Sequence, residues 1–166
     1  MISGFEFVKE EFRKGEYPKE LPHRATEQSA GYDFYSPTDL LLHPGERVEI
    51  WTNVRVALHP NQLMTLRMRS SLGCAGLELL ADTIDADYFD NAKTGGNIRI
   101  NLRLREGFNP VRIESGDRVV QGIVTAYETL DADNCLNQTR QGGHGSTGGH
   151  SLQAGNYEIG REKSSV

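Results

Sequence analysis

The sequence has no run of eighteen apolar residues, so no segment combines the length and composition of a membrane-spanning helix. Its opening stretch, MISGFEFVKEEFRKGE, lacks the apolar centre of a signal peptide. A soluble, cytoplasmic protein is therefore expected. Basic charge is also in short supply: 18 Lys and Arg stand against 23 Asp and Glu, for a net charge of −5 and a pI near 5.5. Surfaces that wrap nucleic acid need the opposite balance, so no nucleic-acid partner is expected. A pocket with a few local arginines for one phosphate chain remains compatible with that charge. Cysteine is scarce too. Cys74 and Cys135 lack metal-ligand spacing; a disulfide between them is possible in principle, but free thiols in a reducing compartment are the expectation. Finally, no stretch repeats its apolar residues every 3.6 positions, which leaves helices without a signal.

What is present is alternation. From Val48 to Leu58 the even positions read Val, Ile, Thr, Val, Val, Leu, and the odd ones are mostly polar, so one half-buried strand is expected there. Leu63 to Arg69 sets Met64, Leu66 and Met68 against Thr65, Arg67 and Arg69. Ile98 to Leu104 alternates in the same way. Arg118 to Tyr127 is apolar at Val119, Val120, Ile123 and Val124 and reads as a strand covered on both faces. His43-Pro44-Gly45, His59-Pro60-Asn61, Thr94-Gly95-Gly96 and Ser115-Gly116-Asp117 are turn chemistry between these runs. Together with 18 glycines, short evenly spaced strands imply an all-β chain, a β-sandwich or jelly roll. Residues 1–136 are expected to form that single domain. Residues 137–149 form a Gly-rich arm with almost no apolar side chains, and residues 150–166 a tail with no assigned role.

Five short segments carry chemistry, each with a bland alternative. Ala30-Gly31-Tyr32-Asp33 could be only a turn entering a strand. Arg69-Ser70-Ser71-Leu72-Gly73 ends a strand with a guanidinium and two hydroxyls, donors suited to phosphate oxygens, or else is a solvated strand end. Asp82-Thr83-Ile84-Asp85-Ala86-Asp87-Tyr88 crowds three carboxylates whose repulsion calls for a metal, a water to activate or arginine partners; the alternative is an acidic turn. Gly116-Asp117-Arg118-Val119-Val120-Gln121 is a turn feeding a strand. Arg140-Gln141-Gly142-Gly143-His144-Gly145-Ser146-Thr147-Gly148 suits a backbone cradle for phosphate, or a linker, and lacks the Gly-Lys-Ser/Thr ending of a P-loop.

Taken together and in this order, AGYD, RSSLG, TIDADY, GDRVVQG and RQGGHGSTG resemble the five motifs of the trimeric dUTPase family, bacterial and phage type, over residues 20–149. The resemblance implies a jelly roll, a homotrimer whose arm crosses between subunits, Mg²⁺ as cofactor and dUTP as substrate. The implied reaction gives dUMP and pyrophosphate, which keeps uracil out of DNA and supplies dUMP for dTMP synthesis. It implies that Asp85 orients and deprotonates the attacking water, a task that suits a rigidly aimed carboxylate. Tyr88 would pack on the deoxyribose and exclude a 2′-hydroxyl. Arg69, Ser70 and Gln121 would contact the triphosphate, and Arg140 the γ-phosphate. His144 and Gly145 would cover the uracil, with Ser71, Thr83, Ile84 and Ser146 also among the substrate contacts. Asp33 would support waters on Mg²⁺, an ion that dehydrates reluctantly and needs no protein cage.

Two departures touch the base. The Asn whose amide reads uracil in the family is missing, since Leu79-Leu80-Ala81-Asp82 runs straight into Thr83. Ionised Asp82 cannot copy the donor half of an amide, and backbone groups would have to read the base. The family's stacking Phe is His144 here. A dCTP deaminase shares the Arg-Ser-Ser signature but needs a glutamate on the strand Ile98–Leu104, which has no acid. A nucleotide-binding protein that regulates a partner is the other alternative. A cupin-type metal site would need clustered histidines, and the five, at 23, 43, 59, 144 and 150, are not clustered.

Overall fold

The computed structural model describes residues 3–133 together with 135, 140, 142 and 143. In chain order its strands are β1 (Gly4–Phe7), β2 (His23–Arg24), β3 (Tyr32–Tyr35), β4 (Leu40–Leu42), β5 (Arg47–Trp51), β6 (Val54–Ala57), β7 (Gln62–Met68), β8 (Leu77–Leu79), β9 (Thr83–Asp85), β10 (Arg99–Leu104), β11 (Val111–Ile113) and β12 (Arg118–Ala126). The helical content among the described residues is a five-residue helix α1 (Ser70–Cys74) and two 3-10 turns, Glu10–Phe12 and Ala86–Tyr88. All pairings are antiparallel. They make a five-stranded sheet, β2-β3-β12-β7-β9, a three-stranded sheet, β5-β10-β8, and two ribbons, β1-β6 and β11-β4. This is the expected all-β jelly roll.

Alternation explains the core. Met64 and Leu66 on β7, Ile100, Leu102 and Leu104 on β10, and Phe34 on β3 turn inward and bury almost completely. Each such side chain contributes about 1.5–3 kcal/mol when removed from water. The run Val48–Leu58 is not one strand. It breaks at Thr52-Asn53, where Asn53 takes φ 55°, a conformation that asparagine tolerates better than most residues. The Asn53 backbone N–H donates to Asn97 Oδ1 (3.0 Å), and its amide donates to the carbonyls of Lys14 and Glu16 (2.9 and 2.6 Å). The chain thereby leaves the β5 sheet and pairs with β1, and β6 is buried on both sides. Residues 52–58 keep their alternation through this break, so periodicity alone does not reveal it.

Strand β12 shifts register between Arg118 and Val120 against β3. The extra residue lets Val119 and Val120 both face the core at 0% exposure, as a bulge does when it re-aims neighbouring side chains. The expected cover on both faces holds only for this first half, because Thr125 and Ala126 are exposed. Cys74 and Cys135 are both exposed and unpaired. Among the described residues no helix is long and apolar enough to cross a membrane.

Candidate active site

The predicted residues gather at the two ends of β7. At one end, β9 pairs with β7 so that Leu63 faces Asp85 and Thr65 faces Thr83. The Leu66 N–H donates to the Asp82 carbonyl (2.7 Å). In an antiparallel ladder this makes 66/82 and 64/84 the hydrogen-bonded pairs. The backbone N–H and C=O groups of Thr83 and Asp85 therefore point away from β7, toward the outer edge of β9, which is the last strand of that sheet among the described residues. Ile84 turns into the core at 8% exposure. Beside that edge lies a cavity of about 280 Å³ lined by residues that include Thr83, Ile84, Asp85, Tyr88, Arg140 and Gly143.

Tyr88 is buried and clamped. Its hydroxyl donates to the Asn97 carbonyl (2.8 Å) and accepts from the Thr94 hydroxyl (3.2 Å), and its own carbonyl accepts from the Asn91 amide (2.7 Å). One ring edge packs on Gly143, where a Cβ would fall 2.7 Å from Cε2. Arg140 spans the acidic end of β9: Nη2 pairs with Asp85 Oδ2 and Nε with Asp87 Oδ1, each at 2.5 Å. The Arg140 guanidinium is thus held by the carboxylates of the third motif. Two carboxylates two residues apart repel each other, and a guanidinium fork between them removes that cost.

At the other end, β7 delivers Arg69 into a cluster centred on Asp33. Asp33 is buried on β3; its Oδ1 accepts from Arg69 Nη1 (2.9 Å) and Gln121 Nε2 (3.0 Å), and Arg118 Nη1 lies 3.5 Å from Oδ2. Residues 118 and 121 would lie on opposite faces of a regular strand. The β12 bulge puts both on the face of Asp33. Gly31 leaves room for the Gln121 side chain, since a Cβ there would sit 2.9 Å from Gln121 Cβ. Ser70 and Ser71 are exposed at the start of α1. Ser71 joins Arg69, Arg118 and Asp117 around a cavity of about 250 Å³. Behind the cluster, the Tyr35 hydroxyl sits 3.2 Å from His23 Nε2. Burial first, then the carboxylates of Glu20 and Asp33, push the Tyr35 hydroxyl above its ordinary pKa.

Asp33 therefore holds donors instead of standing open to a cation. Among the described residues no group of three His, Cys, Asp or Glu could hold a metal ion. His144, Gly145 and Ser146 lie outside the described residues. Arg118 and Asp87 join these groups in the structure; both stand within the quoted motifs, but motif order singles out their neighbours Gln121 and Asp85. The two groups stand apart within one chain. Arg69 lies six residues along β7 from the partner of Asp85, about 20 Å at about 3.3 Å per residue.

The dUTPase family model matches residues 17–149. The chain belongs to the dUTPase family. Its relatives include the deoxyuridine 5′-triphosphate nucleotidohydrolase of Mycolicibacterium vanbaalenii, 34% identical over 142 residues that cover 78% of this chain and 88% of that one. The Lactococcus lactis enzyme of the same name is 34% identical over 89% of this chain and 98% of its own. Among solved structures, the Streptococcus mutans dUTPase superposes with a TM-score of 0.66 at 29% identity, covering 78% of this chain and 99% of that one. A mutant dUTPase from Staphylococcus aureus phage phi11, described with a structural Mg(II) ion, shares the fold with a TM-score of 0.60 at 20% identity, over 82% and 97% of the two chains. The dUTPase family assignment covers both half-sites, since Asp33, Arg69, Asp85, Tyr88, Gln121 and Arg140 all fall within the matched span.

Proposed function

We propose that this protein hydrolyses dUTP to dUMP and pyrophosphate, with the active site assembled from more than one copy of the chain. One observation carries the reading: the Asp85 carboxylate lines a cavity of about 280 Å³, and a cluster of Arg69, Arg118 and Gln121 around Asp33, donors suited to phosphate, lies about 20 Å away along β7. The edge of β9 offers the Thr83 backbone N–H and C=O, a donor and an acceptor in the pattern that complements uracil's imide. This supports base reading without the family's Asn. Tyr88, clamped at its hydroxyl and backbone, is rigid enough to refuse a 2′-hydroxyl.

In the reaction, Asp85 accepts a proton from water as the water oxygen bonds to the α-phosphorus. The bond from that phosphorus to the bridging oxygen breaks, and pyrophosphate leaves. Arg69, Gln121, Ser70 and Ser71 donate to phosphate oxygens, and Asp33 keeps Arg69 and Gln121 aimed. A magnesium ion bound with the triphosphate would offset part of its charge, and Asp33, through an oxygen lone pair left over from its Arg69 and Gln121 contacts, would accept from a water on that ion. Arg140 must release Asp85 before the carboxylate can work as a base, and the γ-phosphate is the stronger anion that could take it. A homotrimer in which one copy supplies Asp85 and another Arg69 satisfies the 20 Å separation, and His144, Gly145 and Ser146 of the arm would cover the base.

The test measures pyrophosphate release and deamination separately for each deoxynucleoside triphosphate with Mg²⁺. Pyrophosphate from dUTP alone is expected. Release of ammonia from dCTP would point instead to the deaminase reading, and tight binding without turnover to a regulatory one.

A further inference from the structure

The loop that clamps Tyr88 is itself held by Arg55 of β6 and by residues of the N-terminal segment that precede the family-matched span. Arg55, on β6, is 8% exposed. Its guanidinium lies 4.7 Å from the ring centroid of Phe89, the residue after Tyr88. Nη1 donates to Asp90 Oδ1 (2.8 Å) and Nη2 to Glu6 Oε2 on β1 (3.0 Å). Asp90 takes φ 52°, an uncommon conformation for a side-chain-bearing residue, and Lys9 reaches it at 2.9 Å. Gly96, at φ +82°, closes the loop against the same residue: a Cβ there would lie 2.9 Å from the Asp90 nitrogen and 3.3 Å from Arg55 Cβ. The N-terminal segment adds a second tie. Phe12 packs on Gly95, and its carbonyl accepts from the Asn97 amide (3.0 Å). Asn97 is the residue whose carbonyl receives the Tyr88 hydroxyl.

A buried guanidinium is costly unless its partners are fixed, and once they are fixed it fixes them in turn. Arg55 meets three partners on two elements, and two of the three directly follow Tyr88. We propose that Arg55 is a positioning residue for the sugar pocket: it locks the turn Ala86–Tyr88 and the loop 89–97 onto β6, and so sets where the Tyr88 ring and the Asp85 carboxylate stand. Lysine keeps the charge but loses the fork and the flat face that covers Phe89. The acidic partners are unequal. Glu6 anchors the guanidinium to β1, whereas Asp90 carries the anchorage to the site.

This inference rests on the dUTP reading for its kinetic readout and on hydrogen exchange for one independent of it. Compare Arg55→Lys, Arg55→Met, Asp90→Asn and Glu6→Gln with the parent, each well below its own melting temperature. Faster exchange confined to residues 86–97 is expected for both Arg55 variants, larger in Met than in Lys, and little change for Glu6→Gln. The kcat for dUTP should fall about tenfold or more in the Arg55 variants, since small misplacements of reacting groups are expensive. The ratio of kcat/KM for dUTP over UTP should fall with it. If Arg55→Met fails to fold, Arg55→Lys carries the test. Folded Arg55→Lys with unchanged exchange and an unchanged dUTP-to-UTP ratio would overturn the proposal. So would Glu6→Gln loosening residues 86–97 as much as Asp90→Asn does. A parent protein that releases no pyrophosphate from dUTP would count against the functional reading, and the exchange data would then decide this one alone.

Discussion

At the scale of single residues, the site depends on carboxylates with different tasks. Asp85 is half-exposed at the strand end and faces a cavity, which suits a base that must meet water. Asp85→Asn should keep nucleotide affinity and lower kcat by about 10²–10⁴-fold, the usual worth of general-base catalysis; steady-state turnover beside equilibrium binding of a non-hydrolysable analogue checks this. Near-normal turnover would remove Asp85 from the chemistry. Asp33 is almost fully buried and holds donors in place. Asp33→Ala leaves Arg69 and Arg118 without their acceptor, so KM for dUTP should rise and stability drop by roughly 1–3 kcal/mol. Asp33→Asn retains an acceptor oxygen and should do less of both. Chemical denaturation and KM measurements on the two variants separate these outcomes, and equal effects would show that charge alone matters there.

At the scale of elements, the bulge in β12 and the loop 89–97 do what sequence alternation cannot show. Gly31→Ala should raise KM and also lower stability, because the new Cβ would fall 2.9 Å from Gln121 Cβ on β12 and push that side chain out of line with Asp33; unchanged KM in the folded variant would take Gln121 out of phosphate binding. The loop carries a pH signature. The Lys9 hydrogen bond above all, with help from Arg55, holds Asp90 below its ordinary value of 3.8. A carboxyl whose folded pKa is depressed contributes stability that is fully present above its unfolded value and lost as pH falls through the folded one. Melting of the parent should therefore lose ground to Asp90→Asn only below about pH 4; a gap that stays constant down to pH 2 would contradict the linkage. Strands β7, β10 and β12 were legible because their alternation is long and strict. The break at Asn53 was not, since alternation runs through it, and β1, β2, β8, β9 and β11 are too short to show a period. The five motifs do bring Asp33, Arg69 and Gln121 to one cluster and Asp85, Tyr88 and Arg140 to one cavity. Their split between the two ends of β7 depends on register between strands far apart in sequence, which no local pattern encodes.

At the scale of the whole molecule, the proposed shared site makes a prediction about assembly. Asp85→Asn and Arg69→Ala homomers should each be inactive, and mixing them under demonstrated subunit exchange should restore part of the dUTP turnover, because one chain supplies the base and another the phosphate cluster. Exchange seen by mass spectrometry without recovered activity would mean that each chain works alone. The outer edge of β9 has a further consequence, for solubility. Unpaired backbone groups on an edge strand are a template for another strand to add to, and proteins guard such edges by keeping them short and charged. Here the edge is three residues long and is framed by Asp82, Asp85 and Asp87. The acids that crowd the catalytic strand therefore also act as gatekeepers against chain-to-chain sheet growth. Asp82→Asn combined with Asp87→Asn should leave the fold intact yet lower the concentration at which light scattering rises on warming.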